Sequence, residues 1–273
     1  IMSEPRIALL LTGTIGKIYT NKRSYDWSED VDYRIGLEHY RKNMFDVNPN
    51  IDVFIHCWDK QYEKQVIEDY NPKIAQFQDQ INFPERFTPS EPFDDRTLIR
   101  RMYTRSRWYS AAKVSEMKRS WEKSNNFTYD YVMTSRLDCA FLKEFKFTDY
   151  NPEKFWAPKD DVDINICNSR KLFLDYWFFS SSENMDKFNS LYFVLEDLDK
   201  AKFEKTGKGM NAHEDSWIWA SNCNFDVQYT LDESVDHDLV RAIYEDCHYQ
   251  GEEFSGIETL TKYDKYPRDN GRF

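Results

Sequence analysis

Short apolar runs alternate with helix-length amphipathic stretches at the start of this chain, and that alternation restricts the fold more than any other feature. "RIALLLTGT" (Arg6–Thr14) reads as a buried first strand ending in small polar residues. A polar loop is expected up to about Asp30, then a helix over 32–46. "DVFIHCWD" (Asp52–Asp59) is a second apolar strand, residues 61–70 a short helix, and "KIAQFQ" (Lys73–Gln78) a third strand. Strand, helix, strand, helix, strand predicts an α/β fold: a mostly parallel, Rossmann-like central sheet with helices on both faces. At 273 residues, a single domain is the first expectation.

The remainder extends the pattern. Residues 79–95 are a loop containing Pro84, Pro89 and Pro92, and a long helix is expected over 96–124. One face of that helix carries Tyr103, Arg107, Ser110, Val114, Met117 and Trp121. Arg107 and Ser110 interrupt the apolar stripe, so Arg107 either lies at its edge with its head in water or lines a polar cleft. "YDYVMTSRLD" (Tyr129–Asp138) is a fourth strand, with further strands in "KFWAP" (Lys154–Pro158), "DYWFFSSS" (Asp175–Ser182) and "FDVQYTLD" (Phe225–Asp232). A helix is expected over 183–200 and a short one from near His213, after a flexible segment, Thr206–Asn211. Residues from about 240 to 273 read as an irregular tail.

Composition narrows the partners. A net charge of −11 argues against nucleic acid or an anionic membrane as the main partner. No apolar run approaches the roughly 18–20 residues of a membrane span. The run Ile7–Leu11 lacks the length and cleavage site of a signal peptide. Five cysteines without a CxxC pair imply reduced thiols and a cytoplasmic setting, in which the Asn126-Phe127-Thr128 sequon goes unused. Aromatic residues make up 17% of the chain, so much of its apolar surface is flat, with polar handles on Tyr and Trp. There is no GxGxxG, P-loop, HExxH, GxSxG or zinc-ligand spacing.

The fourth strand ends in Arg136-Leu137-Asp138. Open α/β sheets bind ligands at the carboxyl ends of their strands. A carboxylate there can hold Mg²⁺ or Mn²⁺ bridging to diphosphate oxygens, and Arg136, projecting to the same side, can hold phosphate. The alternative is an Arg/Asp pair that closes a strand edge.

The stretch "SRWYSAAKVSEMKRSWEKSNNFTYDYVMTSRLDCAF" resembles the centre of GT-A-fold glycosyltransferases of the viral and bacterial surface-glycan kind: a helix ending in Tyr-Asp, then a strand running into Arg-x-Asp or Asp-x-Asp. "DVFIHCWD" is similar to an Asp-Val-Phe-x-His-x-Trp strand of the same group, and "DYWFFSSSENMDKFNSLY" to its acceptor-side segment. The resemblance spans about residues 6–220. It implies a GT-A-like fold and a hexosyltransferase that moves a sugar from a nucleotide-sugar donor to a glycan acceptor in surface polysaccharide or virion glycan synthesis, in a bacterium or an infected cell. It places donor contacts at Thr12, Gly13, Thr14, Arg136, Asp138 and Asp175. It puts a Mn²⁺ or Mg²⁺ at Asp138, completed by a late histidine, His237 in preference to His248. Where the family often has Asp-x-Asp this chain has Arg136 first, so Arg136 can instead replace part of the cation's charge.

"TGKGMNAHEDSW" resembles the family's x-Glu-Asp motif, whose last Asp is the base in inverting members. That maps onto Asp215, with Glu214 as the fallback. The plain alternative is helix capping and carboxylates favoured by the helix dipole. His56, flanked by apolar residues, reads as a hydrogen-bonded core histidine, while the family resemblance leaves a functional role open beside that. Two rival functions stay open: a glycoside hydrolase with two carboxylates, and a non-catalytic carbohydrate-binding protein with Trp and Tyr as stacking platforms.

Overall fold

The computed structural model describes residues 4–21, 26–87, 89, 92–159, 171–233 and 235–240, with only the backbone described over 17–21 and 26–29. Seven strands form the central sheet: β1 (Ile7–Gly13), β4 (Ile51–Cys57), β5 (Ile74–Phe77), β6 (Tyr131–Arg136), β8 (Phe155–Lys159), β9 (Trp177–Ser180) and β10 (Val227–Asp232). Their spatial order is β10-β8-β9-β6-β1-β4-β5. β6, β1, β4 and β5 run parallel, as do β10 and β8, while β9 is antiparallel to both of its neighbours. The expected α/β class with a mostly parallel sheet is therefore what the chain forms.

Side chains alternate across this sheet because strand residues point to opposite faces in turn. Ile7, Leu9 and Leu11 of β1 pack with Tyr33, Leu37 and Tyr40 of α1 (Tyr33–Tyr40) and Val66 of α2 (Glu63–Tyr70). Ala8 and Leu10 face the other way, onto Trp108, Ala111 and Val114 of α3 (Asp95–Asn125). That second face also receives Phe188 of α4 (Ser182–Asn189), Leu191 and Leu195 of α5 (Leu191–Thr206) and Ala220 of α6 (Ala212–Asn222). Both faces are covered, which explains why the central strands are apolar on both sides. Most of the aromatic excess lies in these two layers, for example Phe155 stacked on Phe225 at 5.0 Å and Trp156 on Phe179 at 5.9 Å.

Several elements differ from expectation. The loop expected before Asp30 contains an antiparallel pair, β2 (Lys17–Asn21) and β3 (Asp26–Asp30). The helix expected over 32–46 ends in a π-helical turn, Arg41–Phe45. The single helix expected over 183–200 is two, broken at Ser190. The fourth strand stops at Arg136, so Asp138 lies in the turn leading to β7 (Cys139–Phe141) rather than on the strand. His237 does not simply follow the last sheet strand; it sits on a short strand, β11 (His237–Leu239), paired antiparallel with β7. Residues 241–273, His248 and Cys167 lie outside the described residues. Cys57, Cys139 and Cys223 are buried free thiols.

Candidate functional site

In chain order, the strands on one side of β1 (β4, β5) are built before the crossover to β6 on its other side. The sheet therefore reverses its direction of growth between β1 and β6, where doubly wound sheets open a crevice at their carboxyl edge. A cavity of about 730 Å³ lies there, within the size range of small-molecule sites. Thr12, Gly13 and Thr14 from the end of β1, and Arg136 from the end of β6, line it. The first half of α3 contributes Tyr103 and Arg107, the segment before β9 gives Asp175, and the start of α6 gives Asn211 to His213.

Two guanidiniums define one wall. Thr12 and Arg136 are register partners across β1 and β6. Arg107 reaches over from α3, its Nη1 donating to Thr12 Oγ1 at 2.8 Å and its Nη2 to the main-chain oxygen of Asp175 at 3.2 Å. Its Nε lies 3.9 Å from the Asp175 carboxylate. Burial lowers the Arg107 pKa to about 10 against the pull of Asp175, with the nearby Arg136 charge adding to the depression, so it remains a cation at neutral pH. Of the two readings of Arg107, the cleft-lining one describes the fold.

Arg136 makes a two-point fork onto Asp138, with Nε–Oδ1 at 2.7 Å and Nη2–Oδ2 at 2.9 Å. Burial opposes the Arg136 charge, but the Asp138 carboxylate outweighs it and lifts the guanidinium above its ordinary range. Asp138 is itself buried, stands behind Arg136 and is not a cavity-lining residue. The Tyr40 hydroxyl, from the opposite face, donates to the Arg136 carbonyl at 2.8 Å and fixes the strand end from below.

The loop after β1 is shaped by glycine. Gly13 has φ +101° and Gly16 φ +104°, backbone that side-chain-bearing residues rarely adopt. At Gly16 a Cβ would also stand 2.8 Å from Asp138 Cβ, so the loop lies directly against the Arg136–Asp138 fork. Asp59, just past β4, accepts from Ile15 N at 2.7 Å and holds the same loop from the other side.

The expected donor contacts thus gather as a group, Asp138 excepted: Thr12, Gly13, Thr14, Arg136 and Asp175 all face one cavity. The expected bases do not join them. Asp215 is fully buried in the first turn of α6, with Oδ1 on the Lys202 ammonium and Oδ2 accepting from Asn211 N at 2.8 Å. Burial raises its pKa to about 6 against the pull of Lys202. Glu214 turns towards Lys202, at 3.5 Å, and Lys208, at 4.0 Å, and neither carboxylate lines the cavity. The capping alternative describes both: they are acidic residues of a helix start whose cap is Asn211.

His237 is fully buried against the rings of Tyr176, Trp177 and Phe141, and burial lowers its pKa to about 4. It too is absent from the cavity wall. Among the described residues no group of three or more His, Cys, Asp and Glu side chains is placed to hold a metal ion. His56 is a core histidine as read, with Nδ1 3.0 Å from Ser110 Oγ.

The residues missed are His213, Trp58 and Asp59, all of which line the cavity. Trp58 and Asp59 follow β4, and the strand-end rule that singles out Thr12 would have found them. His213 was legible from helical geometry: at about 100° per residue it lies some 200° around from Asp215. Burying Asp215 therefore turns His213 to the opposite side, into the cleft.

No protein-family model matches the chain, and no curated protein is significantly similar to it. Among the described residues no helix is long and apolar enough to cross a membrane.

Proposed function

We propose that this protein is a glycosyltransferase that binds a nucleotide-diphosphate sugar at the β1–β6 crevice and transfers the sugar to a glycan hydroxyl. The observation that carries the reading is the pair of guanidiniums, Arg107 and Arg136, on one wall of a crevice at the carboxyl edge of a parallel sheet. Among the described residues the cavity lining holds three arginines (Arg100, Arg107, Arg136) against two aspartates (Asp59, Asp175), a positive excess in a chain of net charge −11. Arg136 uses Nε and Nη2 on Asp138 and keeps Nη1 for a ligand. A diphosphate bridging the two arginines gains charge-assisted hydrogen bonds, and these strengthen as negative charge builds on the leaving group. Trp58 and the half-exposed Tyr103 supply flat surfaces for a base or sugar ring.

The residues suggested for Mn²⁺ or Mg²⁺ do not fit that ion. Both carboxylate oxygens of Asp138 are engaged by Arg136, and His237 is enclosed by aromatic rings. The countercharge for the diphosphate therefore comes from Arg107 and Arg136.

The test is thermal stabilisation by UDP, GDP, CMP and TDP, each with and without Mn²⁺. One nucleoside diphosphate should raise the Tm without needing the metal, and Arg107→Met and Arg136→Met should each remove that response. A chain that ignores every nucleotide, with and without Mn²⁺, and is stabilised by glycans alone would instead be a hydrolase or a non-catalytic glycan binder.

A further inference from the structure

We infer that His213 is the base that takes the proton from the attacking hydroxyl, in place of the carboxylates beside it; the inference rests on the glycosyltransferase reading above. The ring is held in one tautomer. His213 Nδ1 lies 2.7 Å from the Phe173 carbonyl oxygen, which can only accept, so Nδ1 carries the hydrogen. The lone pair is then on Nε2. The same two residues are joined a second time, Phe173 N donating to His213 O at 3.1 Å, which fixes the backbone that carries the ring. The imidazole lines the cavity with 42% of its side chain exposed, open enough to meet a hydroxyl.

Its charged surroundings suit a ring that becomes a cation during the reaction. Asp175 Oδ1 is 3.8 Å from Nδ1, on the side away from Nε2, where a carboxylate stabilises an imidazolium without competing for the proton. Arg107, from α3, meets that same carboxylate, so Asp175 stands between the diphosphate wall and the base. Arg136 and Arg100 line the cavity from β6 and α3. On α6 itself, Glu214 and Asp215 are drawn to Lys202 and Lys208.

The step is a single displacement. The acceptor oxygen bonds to the anomeric carbon while its proton moves to His213 Nε2. The bond from that carbon to the diphosphate oxygen breaks, and its electron pair leaves with the nucleoside diphosphate. The imidazolium afterwards returns its proton to water. Configuration at the anomeric carbon inverts.

Transfer to water tests this without a known acceptor, using a panel of UDP-, GDP- and TDP-hexoses and measuring release of the diphosphate. His213→Asn keeps an amide N–H for the Phe173 carbonyl, so it retains the fold and the nucleotide-induced rise in Tm. Its kcat should fall by about 10²- to 10⁴-fold. In His213→Ala, added imidazole should restore part of the rate, which a purely structural role would not allow. Nucleotide binding with a His213→Asn rate within threefold of wild type, or no rescue of His213→Ala by imidazole, overturns this inference alone. A wild-type protein that binds no nucleotide overturns it together with the reading on which it rests, and that is seen before any variant is made.

Discussion

At the scale of single residues, the site depends on how closely the loop after β1 approaches the Arg136–Asp138 fork. Gly13 and Gly16 share a left-handed backbone but differ in surroundings. A Cβ on Gly13 meets nothing within 4 Å, whereas one on Gly16 would stand 2.8 Å from Asp138 Cβ. Alanine at either position carries backbone strain of about 1–3 kcal/mol. Only at Gly16 must Asp138, itself buried, also move. Gly16→Ala should therefore lower the stability measured by urea denaturation more than Gly13→Ala does, and equal losses would contradict the close approach. Asp138 illustrates a limit on reading single residues. Its place just beyond a strand end was legible and the pair with Arg136 was one of its two readings, but the sequence did not choose between them, because a residue two positions away serves as well for a pair as for a shared ligand.

At the scale of elements, the central strands were legible because burial on both faces makes them continuous apolar runs, as in Ile7–Leu11. The β2–β3 pair was not, since its residues read as polar loop. Nor was the break between α4 and α5, which no Gly or Pro marks. There Asn189 is drawn inward, its Nδ2 donating to Ser115 Oγ of α3 at 2.8 Å and to Thr134 Oγ1 of β6 at 2.7 Å. Those bonds pull the end of α4 onto the sheet, and α5 leaves in a new direction. The join of α3 to α4 also has a charged centre. Lys118, fully buried, contacts Glu122 Oε2 at 2.9 Å, Asp186 Oδ2 at 3.0 Å and the Ser182 hydroxyl. Removing the ammonium leaves two carboxylates in a poorly solvated space, which typically costs about 3–5 kcal/mol. Lys118→Met should show a loss of that order in urea denaturation. Adding Glu122→Gln and Asp186→Asn should recover part of it, because neutral amides need no counterion. If the triple variant is no more stable than Lys118→Met, the charge argument fails and packing of the lysine stem is the cause.

At the scale of the whole molecule, two buried histidines contribute to how stability responds to acid. Burial lowers the pKa of both His56 and His237 to about 4. An unfolded chain takes up those protons near the ordinary value of about 6.5, before the folded one does. The stability each neutral ring contributes is therefore complete above pH 6.5 and is lost as pH falls towards 4. At about 1.4 kcal/mol per unit of difference, the loss is about 3 kcal/mol per histidine, a large part of a typical domain's stability. Asp215 works in the opposite direction. Its folded pKa of about 6 lies above the ordinary aspartate value, so lowering the pH from 6 towards 4 protonates the folded state first and favours it. The two effects overlap in one pH window with opposite signs, and variants separate them. His237→Gln, which cannot titrate, should lose less stability than wild type between pH 7 and pH 4.5 in isothermal urea denaturation. Asp215→Asn should lose more, since it lacks the compensating proton uptake. Parallel stability–pH curves for wild type and His237→Gln would mean that His237 is protonated as readily in the folded chain as in the unfolded one, and so is not held neutral by the rings around it.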